Sequence, residues 1–171
     1  QTEIAIQFIK DACLKDAPFA LFLSWGPPHD PWHTENVPAE YADIFKDIDI
    51  PLRPNYSAEQ DPHADAWGNM GEGYANKLKD NMRGYYAQTA NIDWNLGKIM
   101  KAIDQLGIAE DTILVFTSDH GEMFGSHGRR AKNIFYEESC HVPFLLSWSE
   151  ENFTKSTIDI CLNTPDIMPT I

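Results

Sequence analysis

The 171-residue chain has few cysteines, few basic residues and no long apolar run, and each shortage narrows what it can be. Only Cys13, Cys140 and Cys161 occur, far apart, so they make neither a metal-ligand spacing nor a disulfide framework, and the compartment stays undetermined. Thirteen Lys and Arg against 26 Asp and Glu give a net charge of −13. That balance argues against nucleic acid or an anionic membrane surface as a partner, although a few local cations still suffice to hold a small anion. No stretch approaches the roughly 18 apolar residues of a membrane-crossing helix. The opening is Gln1-Thr2-Glu3 with no Met, so the expectation is an excised piece of a longer chain. The hydrophobic fraction of 43% is ordinary for a globular protein, and the length suffices for one domain with a sizeable core.

The most informative stretch is Asp119-His120-Gly121-Glu122, directly after the apolar run 112–117. That run is β-branched, aliphatic and aromatic without alternation, which predicts a strand buried on both faces, as in a parallel sheet covered by helices. Ligands bind beyond the carboxyl ends of such strands. Residues 19–25 and 142–148 predict two more buried strands, and 157–162 a short fourth. Thr2 is placed to cap a first helix with Ile4, Phe8, Ile9, Ala12 and Cys13 at helical spacing. Met82, Tyr85, Ile92, Leu96, Ile99, Ile103 and Leu106 recur every three or four residues or multiples of that, predicting a long helix that stops at Gly107. Pro165 to Ile171 can open a last helix. Residues 34–80 show no sustained period and many prolines, and read either as an ordered excursion over the sheet edge or as a mobile flap. The order of elements predicts an α/β layered fold.

Asp119 and His120 are the best metal-ligand candidates, since a carboxylate and an imidazole on adjacent residues reach one ion if the backbone turns, as Gly121 permits. The competing reading is a helix-capping Asp with a surface His. Two ligands are too few in any case, because calcium takes about six to eight oxygens. Lys132, after Arg129 and Arg130, can clamp an oxyanion, or simply sit in a solvated basic loop. His29, between Pro28 and Pro31, can give a proton to a leaving group, or be a turn histidine without function. His33, His63, His127 and His141 are weaker candidates, and Gly125-Ser126-His127-Gly128 reads first as a turn. Trp25 and Trp32 can line a pocket or anchor the loop. Glu137-Glu138 reads as a solvated face or as partners for nearby arginines.

Together these motifs resemble the type I sulfatases of the alkaline phosphatase superfamily. The resemblance rests on Pro28-His29-Asp30-Pro31-Trp32, Tyr85-Tyr86-Ala87 with Ile92-Asp93 and Leu106-Gly107, Ser118-Asp119-His120-Gly121-Glu122-Met123, Gly125-Ser126-His127-Gly128, Lys132, Tyr136-Glu137-Glu138-Ser139 and Asp166-Ile167-Met168-Pro169-Thr170, in order along nearly the whole chain. It implies an alkaline phosphatase-like layered sandwich, a mostly parallel sheet between helices, present here incompletely over residues 1–171. It implies that Asp119 and His120 ligate a divalent cation, usually calcium. It also implies that Lys132 and His29 bind the sulfate group of a sulfated small molecule or glycan, with His29 on the leaving-group side, all four facing one cleft. Family members attack sulfur with a formylglycine made from a Cys or Ser that has Pro or Ala two positions on and Arg four positions on. No Cys or Ser here has that context, and the family's N-terminal aspartates and its C-terminal subdomain have no counterpart. The expectations are therefore a nucleophile from a missing N-terminal segment, little or no turnover by these 171 residues alone, a weak or empty cation site, and self-association through unpaired sheet edges. Family members are periplasmic, extracellular or lysosomal. A phosphonate or phosphodiester hydrolase of the same superfamily is the close rival, and a non-catalytic glycan-binding module using Trp25, Trp32 and Trp67 the distant one.

Overall fold

The computed structural model describes residues 1–15, 17–148 and 157–170. Its spine is one long helix, α3 (Tyr74–Leu106), with α1 (Thr2–Leu14) and α2 (Ala39–Phe45) packed along it. A strand pair, β1 (Leu114–Thr117) and β2 (Phe144–Ser147), flanks the short helix α4 (Glu137–Cys140) in sequence, and α5 (Thr164–Thr170) ends the chain. The described residues are thus a partial α/β unit.

Helix α3 begins eight residues earlier than its expected start at Met82, because Tyr74, Leu78 and Met82 extend the apolar stripe by i, i+4 steps. It buries two separate clusters. Tyr74, Leu78 and Met82 pack with Ile50, Met70 and Phe124, while Ile99, Ala102 and Ile103 pack with Ile6 and Ile9 of α1. Gly107 ends it in the left-handed conformation, φ +70°, with its N–H bonded back to Asp104, as the sequence predicts.

The face of α1 is turned from expectation. Thr2, Ala5, Ile6 and Ile9 are buried, whereas Ile4 is 75% exposed. Thr2 is not the cap either: it is the first helical residue, and its hydroxyl accepts the indole N–H of Trp25 at 3.1 Å.

The strands depart further. β1 and β2 pair antiparallel, Leu114 opposite Ser147, in a sheet of two strands among the described residues. Residues 114–116 are half-buried, so β1 is not buried on both faces. Residues 17–25 form no ladder. Phe19, Leu23 and Trp25 pack on the α1–α3 cluster, while Phe22 stays 92% exposed. A strand needs a neighbour roughly 4.8 Å away to pair with, and none lies beside this segment among the described residues. For the same reason 157–162 is irregular and exposed rather than a strand.

The excursion 34–80 carries helical turns and hydrogen bonds of its own. A single 3-10 turn (Thr34–Asn36) and α2 open it, and Ile50 and Met70 enter the core. Its middle is stitched to the glycine loop after β1: His127 N–H donates to Asn55 O at 2.9 Å, Ser57 N–H to Gly125 O at 3.1 Å, and Asp61 N–H to Gly128 O at 3.2 Å. Gly128 has φ +70°, and a Cβ there would lie 2.0 Å from Glu59 O, so both backbone conformation and space demand glycine.

Candidate active site

The turn leaving β1 is built by its own hydrogen bonds. Ser118 Oγ donates to His120 O at 2.9 Å, and His120 N–H donates to Asp119 Oδ1 at 3.1 Å. The other carboxylate oxygen, Oδ2, lies 3.5 Å from His120 Nε2. His120 Nδ1 sits 2.8 Å from Gly121 O, and a carbonyl only accepts, so Nδ1 carries the proton. In the neutral ring Nε2 then offers a lone pair beside a carboxylate oxygen. A histidine pinned by a backbone carbonyl in this way is how metal-bound imidazoles are commonly oriented. The donor set therefore fits a divalent cation, but as two ligands only. Among the described residues no group of three or more His, Cys, Asp or Glu converges on one point. Gly121 cannot be replaced here: its N–H donates to Ser139 O at 2.8 Å, and a Cβ would meet Glu138 O at 2.0 Å.

His29 stands on a turn in which the Pro27-Pro28 and Asp30-Pro31 peptides are both cis. Trp32 anchors that turn, its indole N–H donating to Pro28 O at 2.7 Å and its ring lying 4.9 Å from that of Phe124. Gln88 of α3 donates to Pro31 O at 3.1 Å. His29 Nδ1 lies 2.7 Å from Asp30 Oδ1, so it is the protonated nitrogen, and Nε2 faces Lys132 Nζ at 3.4 Å. The imidazole and the ammonium share a cleft of about 430 Å³ with Trp67, Lys77, Glu122 and Arg130. Asp119 and His120 are paired with each other but do not line this cleft.

Two residues to which the sequence assigned no role support Lys132. Glu122 is only 8% exposed, and its Oε1 accepts Ala131 N–H at 2.6 Å and Phe124 N–H at 3.5 Å. Burial pushes its carboxyl pKa up, against the pull of those N–H groups and of Lys132 and Arg53. Arg53 Nη1 donates to Glu122 O at 2.7 Å and Met123 O at 3.1 Å. The motif around Asp119 contained Glu122, but nothing in its spacing distinguishes a buried glutamate from a solvated one.

Other expectations need correction. Arg129 is not part of a solvated basic loop: it is 4% exposed and bonded to Asp61 Oδ2 at 2.7 Å. Of the two readings of Glu137-Glu138, the solvated face holds for Glu137, and among the described residues neither glutamate pairs with an arginine. Glu137 pairs with His141 at 3.0 Å, and Glu138 accepts the Asn55 amide. Asn55 also lies 3.1 Å from His127 Nε2, while the His127 ring stacks on Tyr136 at 4.0 Å. Trp25 and Trp32 both anchor and line: they are bonded to Thr2 and Pro28, Trp32 lines the His29–Lys132 cleft and Trp25 a second pocket beside α1, while Trp67 is the exposed member of the trio.

The family model described as Sulfatase matches residues 2–171. The chain is 31% identical over 172 residues to an ulvan-active sulfatase of Formosa agariphila, an alignment covering 99% of this chain and 30% of that protein. It superposes with a TM-score of 0.81 and 27% identity on a solved Bacteroides thetaiotaomicron chain from work on the metabolism of multiple glycosaminoglycans, covering 99% of this chain and 33% of that one. A phosphonate monoester hydrolase of Agrobacterium radiobacter superposes with a TM-score of 0.69 at 25% identity, covering 86% of this chain and 32% of that one. The chain spans about a third of the length of the curated relatives it matches.

Proposed function

The chain belongs to the sulfatase family of the alkaline phosphatase superfamily, and from that premise we propose that the whole protein hydrolyses sulfate esters, with His29 and Lys132 gripping the sulfate group. The observation that carries this reading is the 3.4 Å approach of Lys132 Nζ to His29 Nε2 across 103 residues of sequence. In a chain of net charge −13, an ammonium aimed at an imidazole rather than a carboxylate is poised for an incoming anion. Charge builds on the sulfate oxygens as the ester bond breaks, and a preorganised ammonium stabilises it. His29 lies beside that group. With Nδ1–H held by Asp30, Nε2 would have to carry a second proton: in that imidazolium form Nε2–H would bind the ester from the leaving-group side and give its proton to the departing oxygen, leaving the neutral Nδ1–H ring.

Asp119 and His120 would hold a divalent cation, calcium, together with ligands from outside these 171 residues. When bound, the cation would polarise the sulfate oxygens. The attacking group, a formylglycine, would likewise come from outside, since no Cys or Ser here has the required context. Residues 1–171 are then part of the catalytic domain, with 34–80 carrying one wall of the cleft.

The test is turnover of 4-nitrophenyl sulfate and of a phenyl phosphonate monoester by the natural full-length protein. Sulfate release well above phosphonate cleavage is expected. The reverse order would assign the cleft to phosphonate esters, and turnover of neither would remove the hydrolase reading.

A further inference from the structure

Lys132 lies between two non-glycine residues in the left-handed region, Ala131 at φ +60° and Asn133 at φ +70°. Side chains rarely adopt that conformation, so the surroundings must impose it. At Ala131 both backbone polar groups are tied to one dipeptide. Its N–H donates to Glu122 Oε1 at 2.6 Å, and its carbonyl accepts Met123 N–H at 2.8 Å. That dipeptide is itself fixed by Arg53, whose Nη1 donates to both of its carbonyls. Glu122 also lines the cleft that holds Lys132 and His29. A buried carboxylate whose Oε1 accepts two N–H groups, one of them next in sequence to the cleft's lysine, is more than a core contact.

We propose that Glu122 is a positioning residue: by accepting the Ala131 N–H it holds the left-handed turn that presents the Lys132 ammonium to His29 Nε2. The role asks for an acceptor oxygen at the end of a four-carbon reach, not for charge. Glu122→Gln keeps that oxygen, while Glu122→Ala removes it and Glu122→Asp withdraws it by one methylene. The significance for turnover rests on the sulfatase reading above, whereas the geometry does not.

Two readouts separate these. In the 171-residue chain, NMR reports the proximity of the His29 ring to the Lys132 side chain and the hydrogen exchange of the Ala131 amide. The wild type and Glu122→Gln should show the contact and a protected amide. Glu122→Ala and Glu122→Asp should lose both while keeping the Trp32–Phe124 ring contact that marks an intact core. In the natural full-length protein, Glu122→Asp should lower kcat/KM about 100-fold, the size of effect expected when a reacting group drifts by roughly 1 Å, and Glu122→Gln should restore most of it. The proposal is overturned if Glu122→Asp keeps the His29–Lys132 contact, or if Glu122→Gln loses it as Glu122→Ala does. If Glu122→Ala does not fold, the Gln and Asp variants decide. Absence of turnover in the wild type would sink the sulfatase reading and leave the NMR comparison intact.

Discussion

A Cβ built on Gly84 would stand 1.8 Å from the carbonyl oxygen of Trp32. Helix α3 and the His29 turn are therefore in backbone contact at this point, with no room for a side chain. Gly84→Ala must push the turn away from the helix. Overpacking of this kind costs about 1–3 kcal/mol, and more where backbone is the obstacle. The expected outcome is a lower thermal midpoint together with displacement of His29 from Lys132, seen as loss of the contact between their side chains. Gly97, on the same helix with open space around it, is the control, and Gly97→Ala should be tolerated.

The Asp119–His120 pair offers two ligands where calcium wants about six to eight. Titration calorimetry of the 171-residue chain should give calcium binding weaker than about 0.1 mM, the range of sparsely liganded sites. Asp119→Ala should abolish what remains. Tight stoichiometric binding would contradict this account of the turn.

Tyr74 is buried with a hydroxyl that finds no partner among the described residues, and burial holds its phenol pKa above the ordinary value. An unpaired buried hydroxyl is costly. Tyr74→Phe should raise stability by about 1 kcal/mol in urea unfolding. A clear loss would mean that the hydroxyl has a bound partner in solution.

Asp61 is held below the usual carboxylate range first by the N–H of His63 and then by the Arg129 guanidinium. A carboxyl whose pKa is lowered by folding stabilises the native state above its unfolded value, near pH 4, and that contribution fades as pH falls through the lower folded value. Urea midpoints followed from pH 7 downward should fall below about pH 4. Asp61→Asn should lower the midpoint at neutral pH and flatten that acid limb.

Helix α3 and the turn after β1 were legible in sequence, because both are local. The i, i+4 stripe and Gly107 marked α3, and a carboxylate, an imidazole and a glycine in a row marked a turn. What was illegible is what depends on neighbours. Residues 19–25 carry a strand's composition, but a strand exists only where another chain segment pairs with it. Arg129 reads like Arg130 in the sequence, yet it lies buried against Asp61, set by the excursion 34–80 folding over the glycine loop. Glu122 lies three residues after Asp119 in the sequence, but its burial and its bond to Ala131 exist only because the fold brings residue 131 to its carboxylate.

If Lys132 and His29 act together on a sulfate ester, aryl sulfate turnover by the natural full-length protein carrying Lys132→Ala, His29→Ala or both reports it most directly. Each single change should lower kcat by about 100-fold or more, and the double change should cost far less than the product of the two, since groups that act as a unit are not additive. Turnover that survives Lys132→Ala unchanged would contradict the account.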